Sequence, residues 1–224
     1  MNLKKALLSL IAVNSTISAI PAFSQGSINY LSNLGLPSSG SVPVGANGWY
    51  AADFSTGTNG GGYSLDSIQL AMTDPSGNPG GFTVTIYTGI DAHGGIFPGT
   101  GVAALSGSGN PATSGLYTYV PLSSLTLLPN MEYFVVVSAA TDIASGSYSW
   151  SVANTGSPGY NTYHWGGEIF FAQSSDGVNW NYTSGTYGQF SLDATPTPEP
   201  GGVFLLAMGG LLIGVKHRNE KKRA

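Results

Sequence analysis

The chain has no cysteine, and between Lys5 and Lys216 it has no lysine or arginine. Without cysteine there is neither a disulfide framework nor a thiolate nucleophile, so the fold must be held by apolar burial and backbone pairing alone. Without cations the long central stretch has nothing to displace counterions from a phosphate backbone, which excludes nucleic-acid binding. It also lacks the usual clamp for phosphorylated cofactors, and histidine is left as the only side-chain partner for an ion pair. Ten of the eleven acidic residues lie in this stretch, from Asp53 to Glu199, so its formal charge is about −10, although the whole chain carries only −4.

The seven basic residues sit at the two ends. Residues 1–24 follow the order of a secretory signal: a charged start (Lys4, Lys5), the apolar run Ala6 to Val13, and a close in small residues. Ala22 and Ser24 occupy the spacing read by a signal peptidase, which predicts cleavage after Ser24. At the other end, residues 201–215 are uncharged and mostly apolar and are followed by the basic tail "KHRNEKKRA", residues 216–224. Fifteen residues reach roughly 22 Å as a helix, short of the ~30 Å hydrocarbon core, so the segment is expected to cross the inner membrane as a weak, transient anchor. The basic cluster then stays cytoplasmic and leaves the body outside.

Pro198-Glu199-Pro200, an apolar stretch rich in Gly and Leu, and a basic end resemble the PEP-CTERM sorting signal of Gram-negative bacteria. The resemblance covers Pro198 to the C-terminus. It implies that an exosortase processes the chain near Pro198, Glu199 and Pro200, which act as a sorting motif and not as catalytic residues. Asn219 and Glu220 depart from the usual Arg-rich tail.

The intervening sequence, residues 25–193, reads as one exported domain, with a Thr/Pro linker over 194–200. Short apolar runs alternate with Gly, Pro, Asn, Asp and Ser clusters, which predicts strands and turns. In "FTVTIYT", Phe82, Val84 and Ile86 face one way and Thr83, Thr85 and Tyr87 the other. "EYFVVVSA" is continuously apolar and predicts a central strand covered on both faces. "YSLDSIQLAM" places Leu65 in one parity and Ile68, Leu70 and Met72 in the other. Beyond the two ends no amphipathic helix is evident. The expected class is all-β, about nine or ten strands closed as a two-sheet β-sandwich of jelly-roll type. "LLPNMEYFVVV", read as Leu127-x-Pro129-x-x-x-Tyr133, is similar to the tyrosine corner of immunoglobulin-like sandwiches, with Asn130 at a turn position that tolerates left-handed angles. The order of segments from Asp53 to about Asn154, from "ADFSTG" through "FTVTIYTG" and "FPGTGVAALSG" to "YSWSVANTG", resembles the choice-of-anchor R domains. That resemblance implies an exported all-β module with a surface role and no attributed enzymatic activity.

The chemistry on offer is sparse. There is no G-x-S-x-G elbow, and His93 and His164 do not stand at a metal-ligand spacing. A glycoside hydrolase needs two facing carboxylates; Glu132 or Glu168 with an Asp would supply them, although Glu132 sits in the corner motif. "TDPSGNPGG" and "SSDGVNW" offer Asp74 and Asp176 oxygens to Ca²⁺, set against plain Asp- and Gly-rich turns. The densest cluster is "YNTYHWGGEIFFAQSSDGVNWNY". There Tyr163, Trp165, Trp180 and Tyr182 are candidates for a platform that stacks sugar rings, with asparagines supplying hydrogen bonds; the plainer alternative is core and cross-strand packing. These readings converge on a non-catalytic, exosortase-sorted protein of the cell surface or extracellular matrix, structural or adhesive in biofilm, with extracellular polysaccharide as a partner. A glycan-binding module is the alternative, and a glycoside hydrolase a weaker one.

Overall fold

A computed structural model describes residues 26–92, 94–154, 165–166, 171–183 and 185–199. The signal segment, the apolar segment 201–215 and the basic tail lie outside them. Among the described residues no helix is long and apolar enough to cross a membrane. The compact body spans Gly26–Thr197.

The body is all-β. Its strands are β1 (Ile28–Ser32), β2 (Gly40–Val44), β3 (Trp49–Ser55), β4 (Tyr63–Gly77), β5 (Thr83–Ala92), β6 (Gly95–Gly107) and β7 (Gly115–Pro121). They are followed by β8 (Thr126–Leu127), β9 (Glu132–Ser138), β10 (Gly146–Ala153), β11 (Phe171–Ser174), β12 (Asn181–Thr183), β13 (Tyr187–Gly188) and β14 (Phe190–Pro196). The main path runs β1-β14-β4-β7-β6-β5-β9-β3-β11-β12; β10 joins β4, β2 and β13, and β8 joins β4. The expected division into two sheets takes a different form, because one hydrogen-bonded network passes from β5 through β6 to β7. Strands that do not pair with each other nevertheless meet over a shared core. Trp150 of β10 packs edge-on against Phe171 of β11, ring centroids 5.3 Å apart.

Periodicity explains most of the elements. In β5, Val84 and Ile86 are buried while Thr83 is exposed and Thr85 and Tyr87 are half-buried. In β9, Tyr133, Val135 and Val137 enter the main core, and Phe134 and Val136 enter a second cluster on the opposite face. The strand is central, flanked by β3 and β5.

β4 breaks its own alternation. Leu65 and Ile68 both face the core despite opposite parity, because the register against β14 shifts as Asp193 pairs with Ser67 and Ala194 with Leu65. Asp66 is the extra residue of a β-bulge, and a bulge reverses which face the next residues occupy. The same strand takes in the first part of the expected turn "TDPSGNPGG": Thr73–Gly77 is extended and pairs with β10, and only the residues after Gly77 form the connection. Asp74 and Pro75 together stand opposite Tyr148, so the proline, which cannot donate to a ladder, occupies another bulge.

The corner motif forms. Tyr133 Oη accepts the backbone N–H of Leu128 at 2.9 Å, and Asn130 has φ 53°. The buried Thr56 hydroxyl donates to the Leu128 carbonyl at 2.6 Å. At the chain's other end, β14 continues to Pro196, past the expected domain boundary at 193, and the Thr197 N–H donates to the Gly62 carbonyl at 3.0 Å. Pro198 and Glu199, next in sequence, are exposed.

Candidate functional site

The outward face of β5, β9, β3, β11 and β12 carries the site. Register places Tyr182, Ala172, Ala51 and Val136 in one row across four strands. Ala51, Phe134, Val136 and Ala172 are buried there, and Trp49, Tyr87 and Trp180 pack over them half-buried. A second row carries Asp53 opposite Phe134 and Phe134 opposite Tyr87. A third sets Ser55 opposite Glu132, and the Ser55 hydroxyl donates to the Glu132 carboxylate at 3.2 Å.

The tip of the β5–β6 hairpin forms a wall beside this face. Register shifts around Tyr87 mark bulges that bend the hairpin. Tyr182 fixes its position: the phenol donates to the Ile96 carbonyl at 2.5 Å, and its ring lies 4.3 Å from that of Phe97. Between the two walls is a groove of about 540 Å³, lined by Ile90, Ala92, Phe97 and Pro98 on the hairpin side and by residues 178–182 on the other. This falls within the usual range for small-molecule sites. A second hollow of about 260 Å³ lies beside Trp49, Gln173 and Ser174 and shares Asn181 with the first.

Asp176 holds the wall formed by the β11–β12 loop. Its Oδ1 accepts the N–H groups of Asn179 (2.8 Å) and Val178 (2.9 Å) and the Ser174 hydroxyl (2.9 Å), while Oδ2 accepts the Asn179 amide at 2.7 Å. These bonds, first those to the two backbone N–H groups, hold its pKa well below the usual carboxylate range. Gly177 completes the turn at φ 73°, a left-handed angle that favours glycine, and a Cβ there would stand 2.8 Å from the Trp49 ring. The segment "SSDGVNW" thus forms a turn in which Asp176 caps the loop's own N–H groups. Asp74 accepts the Ser114 N–H at 2.7 Å. Among the described residues no three His, Asp or Glu side chains gather as a metal site.

Burial raises the pKa of the Tyr182 phenol, and the negative charges of Asp53 and Glu132 add to the rise. Register sets Asp53 and Glu132 on the same sheet face as Tyr182.

The expected platform divides. Trp180 and Tyr182 line the groove. Trp165 does not: it is fully buried, stacked on Tyr30 at 4.6 Å and on Phe54 at 6.1 Å, with Tyr63 edge-on at 4.8 Å. A bridge between Gly166 and Ser55 ties the neighbouring backbone to the end of β3, and the adjacent indole enters the core. Tyr163, His93, His164, Glu168, Pro200, Ala22 and Ser24 lie outside the described residues. Phe97 and Ile90 were not singled out from the sequence, since only the hairpin's long-range pairing brings them to Tyr182. No family model matches the chain, and no curated protein matches it. The functional reading rests on its own residues.

Proposed function

We propose that this is a non-catalytic exported protein, directed by its N-terminal segment to the general secretion route and processed by an exosortase at its Pro-Glu-Pro motif. It then remains at the outer surface or in the extracellular polysaccharide matrix, in a structural or adhesive role. In this reading the all-β body is a sandwich of jelly-roll type. One observation carries the proposal: the last described strand ends at Pro196, the Thr197 N–H still donates to the Gly62 carbonyl, and the exposed Pro198 and Glu199 follow immediately. Cutting there would remove the tail and leave every ladder among the described residues intact. The test is the C-terminus of the surface protein by mass spectrometry, in cells with and without exosortase. A tail of equal length in both would defeat the processing step.

A second reading, a glycan-binding module, is favoured by the groove between Phe97, Trp180 and Tyr182. Aromatic faces stack on the C–H faces of sugars, and Asn179 and Asn181 offer amides to hydroxyls. The Trp180→Ala variant should lose retention on polysaccharide while remaining folded, as a cooperative thermal melt would show. Unaltered retention would remove this reading.

A further inference from the structure

We propose that the groove between the β5–β6 hairpin tip and β12 selects a cationic polysaccharide, a polymer of amino sugars with free ammonium groups. This rests on the glycan-binding reading and names the class of glycan.

Three observations point to it. The first is the exposure of apolar surface at one place. Of the ten large hydrophobic residues exposed in the described part of the body, Ile90, Val178 and Tyr182 line the groove, and Ile96 anchors Tyr182 through its carbonyl. Apolar side chains gathered around a concave surface mark a binding site more often than the same residues scattered singly.

The second is charge. Aromatic faces carry negative potential and attract ammonium groups, most strongly where water is partly excluded. Here Phe97, Trp180 and Tyr182 are brought together in a body that has no lysine or arginine from Gly26 to Glu199. Asp53 and Glu132 stand on the same sheet face as Tyr182 and add negative potential there. A polymer of uronates or phosphodiesters would meet repulsion on every approach. An ammonium-bearing polymer would be drawn in over the distances allowed by salt.

The third is extent. Asn181 lines both the 540 Å³ groove and the neighbouring 260 Å³ hollow, so the two adjoin at one short edge strand. A single small cation would fill neither. A chain of sugar rings spans them, with the Asn179 and Asn181 amides meeting hydroxyls between stacked rings. This repeating polar and apolar pattern favours an aminated sugar over a basic peptide.

The experiment uses the full-length chain, kept in detergent, at mildly acidic pH where glucosamine amines are protonated. Binding is measured by calorimetry to a glucosamine hexamer, its fully N-acetylated counterpart, an alginate hexamer and a lysine hexamer. The glucosamine hexamer should bind about tenfold more tightly than the N-acetylated one, the preference should shrink with added salt, and alginate should not bind. Trp180→Phe should weaken binding severalfold and Trp180→Ala more, while Leu122→Ser, at a residue exposed far from the groove in sequence, should leave it unchanged. Glu132→Gln should reduce the preference for free amines without weakening the N-acetylated ligand. Thermal melts of each variant separate lost binding from lost folding.

Equal affinity for the two sugars would overturn charge selection and leave the glycan reading standing. Absence of binding to either sugar would remove both. Lysine hexamer binding as tightly, unaffected by the Trp180 variants, would reduce the effect to surface charge and overturn the proposal.

Discussion

Trp165 stacks on Tyr30 with ring centroids 4.6 Å apart and planes 19° from parallel. The pair joins the body's first strand to a residue 135 positions later, and Tyr63 closes on both rings edge-on. Trp165 thus belongs to the main core. Trp165→Ala should cost about 3–5 kcal/mol, lowering the melting temperature by more than about 6 °C. Near-UV circular dichroism and a thermal melt would measure this; a melt within a degree of wild type would contradict the assignment.

A smaller effect is expected at the corner. Tyr133→Phe keeps the ring that stacks on Phe54 at 5.8 Å but removes the acceptor for the Leu128 N–H. The expected loss is about 1 kcal/mol. Asn130→Val places a β-branched residue at φ 53° and should cost about 1–2 kcal/mol, whereas Asn130→Gly should cost nearly nothing. Chemical denaturation of the three variants would rank them; equal midpoints for the Gly and Val variants would show that the left-handed angle does not matter.

These contacts mark what the sequence discloses. β9 is legible because five successive apolar residues flanked by turn residues fit only a strand buried on both faces. The corner is legible because its parts are local, from Leu127 to Tyr133. Leu65 was harder: its parity opposed Ile68, and only pairing with β14 puts the bulge at Asp66. The groove was half legible. Trp180 and Tyr182 stood out as aromatics beside asparagines, but Phe97 reaches Tyr182 only through pairings more than eighty residues apart in sequence. Trp165, a platform candidate with core packing as its alternative, could be placed in the core only by the same kind of contact. Local composition names a residue's chemistry, while the face it occupies is set by distant backbone bonds such as those between Ser55 and Gly166.

The β11–β12 loop should resist acid. The folded pKa of Asp176 is depressed, chiefly by the Asn179 and Val178 N–H groups. Its contribution is therefore present above the ordinary carboxylate range and is lost only as pH falls through the lower folded value. Trp180 fluorescence should stay constant as pH is lowered through the range where free aspartate titrates. In Asp176→Ala the same signal should already be shifted at neutral pH. A wild-type transition centred on the ordinary aspartate value would show that the loop bonds do not protect the carboxylate.

Gly188 sets a limit on packing. It pairs with Val152 in β13, and a Cβ built there would stand 2.5 Å from the Trp150 ring. Trp150 cannot easily move, since its Nε1 donates to the Gln189 carbonyl at 3.0 Å and its ring packs on Phe171. Gly188→Ala should therefore destabilise by about 1–3 kcal/mol through overpacking. The double variant Gly188→Ala with Trp150→Phe, which opens room for the new methyl, should recover part of the loss. Additive losses would place the strain elsewhere.

The charge pattern predicts an unusual response to salt. Ten carboxylates stand on the stretch between the two basic ends with no Lys or Arg among them. Folding draws these like charges together, so self-repulsion opposes the compact state. Raising ionic strength from 0.01 to 0.15 M shortens the screening length from about 30 to about 8 Å and weakens that repulsion more in the folded body than in the expanded chain. The melting temperature of the full-length protein should rise by a few degrees across this interval. A protein held by surface ion pairs would show the opposite sign, because screening weakens its attractions. A fall in melting temperature with sodium chloride would mean that attractive contacts outweigh the repulsion, and the charge argument for the groove would lose its physical basis along with this prediction.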